Sequence, residues 1–303
     1  MKKQILPVFF VHSGNNDYLN YTIKQAENVN SCVYLLGDES NKEKAKQWFR
    51  MSDYLSDEYN NFTQHYVHMS SNPYLFELNC FRRFFVTYEF AKRNSINRFM
   101  MLDSDLLAFS DFSKIDFGDA IAALSIPHCQ DKYVWTASPH CSYWTIEGIR
   151  DFLNFLTYEY TIGIHELMEK WEYHQTNQIK GGICDMTLLY LWARNKGDTH
   201  IYNTLAIKDN AVFDHFLSVS EGIQKGIFPV RKFCNIKHLK FVNGEAFFKN
   251  NTGEWIKTHS IHAQGKSKIY IPTLYAQRTS VVWYVCAKLN DYKKRLLKKV
   301  KKK

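Results

Sequence analysis

The chain has 303 residues, of which 45% are hydrophobic, 16% aromatic and 23% charged. That composition supports a packed core and excludes a disordered or collagen-like chain. Its net charge of +9 is unevenly placed, because residues 288–303, KLNDYKKRLLKKVKKK, hold nine Lys or Arg against one Asp. The remainder is nearly neutral, which argues against a nucleic-acid-binding body and leaves a basic appendage suited to an anionic surface.

The chain opens MKKQILPVFFVHSG. Two lysines before an apolar run imitate a secretion signal, but the run is short, contains Pro7 and leads into His12-Ser13-Gly14 without a small-residue cleavage site. Residues 5–11 therefore read as a buried strand. HSGNND is a loop, residues 18–29 a helix, and 31–37 (SCVYLLG) a second strand. Ser40 and Glu43 form an S-x-x-E capping pattern, which predicts a helix to about Arg50. Residues 63–69 alternate as a short strand, 77–93 form a helix apolar on nearly every side, and 98–102 and 120–126 are further strands. Beyond them the pattern predicts helices over 145–160 and 184–194, short strands around an NNTGEW turn within 239–257, and a final helix from about Pro272 into the basic tail. No run reaches the ~18 apolar residues of a membrane span. The seven cysteines, 32, 80, 129, 141, 184, 234 and 286, show no C-x-x-C or zinc spacing and read as buried thiols of a reducing compartment.

Strand and helix alternate through the first 125 residues, which predicts an α/β chain with a mixed sheet and helices on both faces. In such sheets ligands gather at the carboxyl ends of strands. His12, Ser13, Asp38 and the segment Asp103-Ser104-Asp105 all fall at such ends. Two aspartates at i and i+2 on a strand share a side and repel, and a divalent cation relieves the conflict. Oxygen ligands suit Mg²⁺ or Mn²⁺, which also bind substrate phosphates. The pair therefore reads as a metal bridge to a diphosphate.

RFMMLDSDLLAF, residues 98–109, resembles the D-x-D segment of nucleotide-sugar glycosyltransferases with the GT-A (Rossmann-like) fold. SIHAQGKSK carries His262, Gly265 and Lys268 in the order H-x-x-G-x-x-K. This resembles the metal and phosphate motif of the retaining glycogenin and lipopolysaccharide-galactosyltransferase family. The resemblance implies that Asp103, Asp105 and His262 bind Mn²⁺ or Mg²⁺, with Ser104 beside the donor. Gly265 would let the backbone approach the pyrophosphate and Lys268 would offer it a point charge. His12, Ser13 and Asp38 would lie where such enzymes hold base and ribose, although each also suits a turn. One of Arg82 and Arg83 would reach a phosphate; Arg82 is carried as the candidate, but the helical wheel does not choose between them, and ordinary surface salt bridging suits both. GGICDMTLLYLW resembles the acidic helix start near the acceptor site. There Asp185 shares a helical face with Leu188, Leu189 and Trp192 and is the candidate catalytic residue, as base or as positioner of a sugar.

The implied activity is metal-dependent transfer of a sugar from a UDP-sugar to a glycan or lipid-linked glycan, with no nucleic-acid partner. Residues 1–285 would form one catalytic domain, 1–125 its nucleotide-binding half and 126–285 its acceptor half. Residues 286–303 would be a basic tail, with Leu296, Leu297 and Val300 giving an apolar stripe for anionic lipid. The expected location is cytoplasmic, peripheral on the inner membrane face. Two alternatives use the same residues: a nucleotidyltransferase making nucleotide-sugars, and a non-catalytic basic-tailed binding protein.

Overall fold

The computed structural model describes residues 5–127, 133–219, 224–232 and 234–300. β1 (Val8–Val11), α1 (Leu19–Val29), β2 (Val33–Gly37) and β3 (Trp48–Arg50) open the chain. α2 (Asp57–His65) and α3 (Tyr74–Arg93) precede β4 (Arg98–Leu102), β5 (Leu106–Ala108), β6 (Ala122–Ser125) and β7 (Ser138–Thr145). α4 (Ile146–Thr161), α5 (Ile164–Thr176) and α6 (Asp185–Lys196) follow, then β8 (Ile201–Asn203) and β9 (Ala211–Phe213). β10 (Leu239–Val242), β11 (Glu245–Lys249), β12 (Trp255–His262), α7 (Ile271–Tyr275) and α8 (Val281–Val300) complete it.

Seven strands form the main sheet in the order β3-β2-β1-β4-β7-β6-β8. The neighbours β3, β2, β1 and β4 run parallel, and β7 lies antiparallel between β4 and β6. Side-chain alternation divides this sheet's residues between two cores. Phe9, Leu36, Phe99 and Met101 join residues of α2, α3, α4 and α6, while Phe10, Leu35, Met100 and Leu102 join those of α1. This is the mixed α/β sheet with helices on both faces that the apolar pattern predicts. The chain leaves β1 toward β2 in one direction and later returns to its other side as β4. The carboxyl ends of β1 and β4 thus flank a topological switch point, where open sheets bind ligands.

A second sheet, β10-β11-β12-β5, with β9 also on β12, has its own core. β4 belongs to the first sheet and β5 to the second, so the chain changes sheets at Asp103-Ser104-Asp105. The aspartates are consequently not on a strand, as expected, but in a turn closed by the Leu106 N–H on the Asp103 carbonyl (3.1 Å).

Four other expectations are corrected. Residues 40–50 are not a helix: Glu39–Lys44 form a 3₁₀ turn, and Trp48–Arg50 pair with β2 as β3. The capping group is Asp38, whose side chain takes the Ser40 N–H and hydroxyl (3.0 and 2.5 Å), and edge pairing uses the residues that follow. Residues 63–69 are not a strand. α2 occupies 57–65, started by the Ser56 hydroxyl on the Tyr59 N–H (3.3 Å) and acidic residues in its first turn. The last helix is broken at 276–280, where Gln277 adopts a left-handed φ of 53°. Cys129, residues 301–303 and the side chains of Leu296 and Val300 lie outside the described residues. Cys286 is exposed, contrary to the buried-thiol expectation. Among the described residues no helix is long and apolar enough to cross a membrane.

Candidate metal and diphosphate site

The site is built on the turn that joins the two sheets. Its backbone is tied on three sides: Asp103 N–H to the His140 carbonyl (2.8 Å), Ala263 N–H to the Asp105 carbonyl (3.1 Å), and the buried Thr22 hydroxyl to the Ser104 carbonyl (2.8 Å). β7, the residue after β12, and α1 therefore fix the direction of both carboxylates.

His262 ends β12, which pairs with β5 in the register His262–Leu106. That register brings the imidazole to the turn. Its Nδ1 donates to the His215 carbonyl (2.8 Å), so Nε2 faces the acids, 3.4 Å from Asp105 and 4.0 Å from Asp103. Oxygen or nitrogen atoms of Asp103, Asp105 and His262 all lie within 4.8 Å of one another. Two carboxylates and an imidazole with its second nitrogen already committed form a donor set that fits Mn²⁺ or Mg²⁺.

Lys268 follows on a 3₁₀ turn, Gly265–Tyr270, with its Nζ 3.1 Å from the other Asp105 oxygen and 5.1 Å from the Tyr18 ring centre. Gly265 has φ +59°, with open space where a Cβ would be. Its requirement is conformational, since left-handed backbone disfavours a side chain. Burial alone would raise the Asp105 pKa, but His262 and Lys268 outweigh it and hold the carboxyl well below its usual range. For His262 burial lowers the pKa, and Asp105 more than compensates.

Behind this arm lies a network that the motifs do not announce. Asp214 follows β9 and accepts the His262 backbone N–H (3.0 Å) on one oxygen and the Lys237 ammonium (2.6 Å) on the other. Both side chains are fully buried. His140 lies flat on His262, with ring centres 4.3 Å apart and planes 5° from parallel. Its Nε2 donates to the Asp214 carbonyl and its Nδ1 accepts from Ser138, each at 2.9 Å. The sequence signal for Asp214 is a carboxylate directly after the apolar AVF of β9, the same logic that marks Asp103. Lys237 carries no signal, being one lysine between Ile236 and His238.

The opposite arm is held by Arg83. It donates to Asp103 (2.6 Å) and forms a salt bridge with Asp185. Asp185 starts α6 as expected, is buried, and its other oxygen takes the Met186 N–H (2.9 Å). Burial raises the Asp185 pKa, with Arg83 opposing. Gly182, just before α6, has φ +147°, and a Cβ there would lie 2.3 Å from the Met69 carbonyl oxygen. A larger residue would displace the segment that delivers Asp185.

Of the two arginines that the sequence could not tell apart, Arg83 meets the carboxylates and Arg82 reaches the Ser13 hydroxyl (3.1 Å) after the end of β1. α3 decides this: Thr87 and Arg83 face the β4 side, where the Thr87 hydroxyl also meets Met101 (3.7 Å). Asp38 is occupied by the Gly14 N–H (2.7 Å) and Ser40, bonds that lower its pKa despite the desolvation that would raise it. Its duty here is to fasten the β1 and β2 ends together. The His12 Nε2 accepts from Asn16 (2.9 Å), and burial, then Lys268, depress its pKa.

No family model matches the sequence, and no curated protein matches it. Solved structures of glycosyltransferases are similar in fold. Mouse xyloside xylosyltransferase 1 is 9% identical, with 69% of this chain and 88% of that chain covered and a TM-score of 0.43. The bifunctional glycosyltransferase WbbM is 10% identical, with 91% and 52% covered and a TM-score of 0.45. The galactosyltransferase LgtC, solved with donor and acceptor sugar analogues, is 13% identical, with 66% and 73% covered and a TM-score of 0.36. These likenesses are distant, and what the site can do follows from its own side chains.

Proposed function

We propose that this protein is a metal-dependent glycosyltransferase of the GT-A type, moving a sugar from a UDP-sugar to a glycan or lipid-linked glycan acceptor. The observation that carries the reading is the convergence of Asp103, Asp105 and His262, with Lys268 against Asp105. Three carboxylates (Asp103, Asp105, Asp185) face two fixed cations (Arg83, Lys268), which leaves the centre one charge short of neutrality without counting His262.

Asp103, Asp105 and His262 would hold Mn²⁺ or Mg²⁺. When bound, the cation would offset the charge on the donor diphosphate and on the departing nucleoside diphosphate. Lys268 turns from Asp105 to a phosphate oxygen and stabilises the charge that grows as the bond to the sugar breaks. Arg83 keeps Asp185 and Asp103 apart from each other's repulsion and fixes their directions. Both Asp185 oxygens are engaged, one by Arg83 and one by Met186, which favours a positioning role toward a sugar over that of a free general base. That role agrees with retention of configuration.

The test is UDP release from a panel of UDP-sugars with and without Mn²⁺. Asp105→Ala should abolish the metal-dependent release with an unchanged circular dichroism spectrum. A fully active Asp105→Ala enzyme in Mn²⁺ would remove the assigned role. Pyrophosphate release from a nucleoside triphosphate would identify a nucleotidyltransferase instead, and silence in both assays a binding protein.

A further inference from the structure

Helix α8 has two unlike faces. Its inner face is fixed to the body: Tyr284 is fully buried, its ring edge-on to Tyr270 at 5.3 Å, and its hydroxyl donates to the Arg278 carbonyl (3.0 Å). Its outer face carries Val282, Val285, Leu289 and Tyr292, which are 65%, 40%, 62% and 63% exposed. Their spacing, i, i+3, i+7, i+10, draws one stripe over three turns. Lys288 and Arg295 flank it on one side and Lys293 on the other. The one acid of the helix, Asp291, is held by Arg295 (2.8 Å).

A row of large apolar side chains in water requires a cover. We propose that this stripe docks on a membrane surface containing anionic lipid. The charge on the page selects that occupant. Nearly all of the molecule's excess positive charge lies on this helix and the residues after it, and the body is close to neutral. A second copy of the chain would set cations against cations along the seam, with no free acid on α8 to complement them. An anionic headgroup layer complements the flanks while its acyl region receives the stripe.

The docking face begins at Val282, before the basic run that the sequence marks from residue 288. It is also coupled to the site. A cavity of about 660 Å³ separates α8 from α1, lined by Trp283, Lys293 and Leu297 on one side and by Tyr18 and Lys268 on the other. The helix that meets lipid and the lysine beside Asp105 are thus walls of one space, and a docked enzyme works beside the bilayer. This suits an acceptor that is itself lipid-linked, but the docking does not depend on the catalytic reading.

The experiment is flotation of the full chain with vesicles of phosphatidylcholine, alone or mixed with an equal part of phosphatidylglycerol. The chain should float with the mixed vesicles at low salt and not with phosphatidylcholine alone. Val282→Glu combined with Leu289→Glu should reduce the bound fraction about tenfold or more, with unchanged circular dichroism because both positions are exposed. Lys293→Gln with Lys294→Gln should weaken binding and flatten its salt dependence. Three results would overturn the proposal: no flotation with anionic vesicles, flotation of the double-Glu variant equal to the parent, or a dimer of the parent that the double-Glu variant converts to monomer. The last would make the stripe a contact between copies.

Discussion

Each arm of the site is backed by a buried lysine, and the two are handled differently. Behind His262, Lys237 is fully enclosed and paired with Asp214, which in turn holds the His262 backbone. Behind Asp185, Lys170 of α5 is buried, and among the described residues only the Thr187 hydroxyl of α6 lies at hydrogen-bond distance (3.0 Å), with the Trp135 ring nearby. Burial pushes its pKa down to about 8. A charge taken out of water must be paired or give up its proton. Lys237 answers by the first route, whereas Lys170 keeps its proton at neutral pH with its pKa drawn toward the second. The His262 arm is therefore a rigid, charge-balanced block, while the Asp185 arm contains an element whose charge is weakly held.

The largest expected effect comes from breaking the paired lysine. Lys237→Met leaves Asp214 as an uncompensated buried charge and should cost about 3–5 kcal/mol in urea unfolding. Mn²⁺ affinity, read by isothermal calorimetry, should fall about 10- to 100-fold as His262 loses its support. Adding Asp214→Leu should restore most of the stability and little of the affinity, which separates packing from ligand positioning.

Lys170 should behave in the opposite way. Its folded pKa lies below the unfolded value, so between about pH 8 and 10 the unfolded chain binds the extra proton. Stability should rise across that window by about 2 kcal/mol, and below it the penalty of the buried charge is present in full. Lys170→Met should remove the rise and match or exceed the parent's stability at pH 7. A loss of several kcal/mol for this variant would mean that Lys170 has an ionic partner equivalent to Asp214.

The smallest effect concerns the turn that both arms share. Thr22→Val removes the hydrogen bond to the Ser104 carbonyl and should cost about 1 kcal/mol, read as a shift in the urea midpoint.

Much of this centre is legible in one dimension because its parts sit at strand ends. Phe99–Leu102 had to be buried, and the acids after it had to lie at the sheet's carboxyl edge. The helix bearing Asp185 was visible from its apolar face and the glycines before it. Which of Arg82 and Arg83 pairs with the carboxylates was not, since the two are adjacent on a helix that reads as apolar on nearly every side, and only the seating of α3 on β4 turns Arg83 toward them. Lys237 was hidden for a different reason. Its meaning is its contact with Asp214, and nothing local to the lysine signals it. The failure at residues 40–50 has the same root: an S-x-x-E pattern describes a local preference, which pairing with β2 overrode.

Sequence alone determined the class of sheet, the presence of an acidic pair at the end of a buried strand, the downstream His-Gly-Lys set and the confinement of positive charge to one end. Only the tertiary structure decided that the turn joins two sheets, which arginine neutralises it, what backs His262 and where the exposed apolar stripe of α8 begins. The division follows from range. Periodicity and capping are set by neighbours in the chain, whereas ion pairing and register are set by residues that meet only after the strands have been laid side by side.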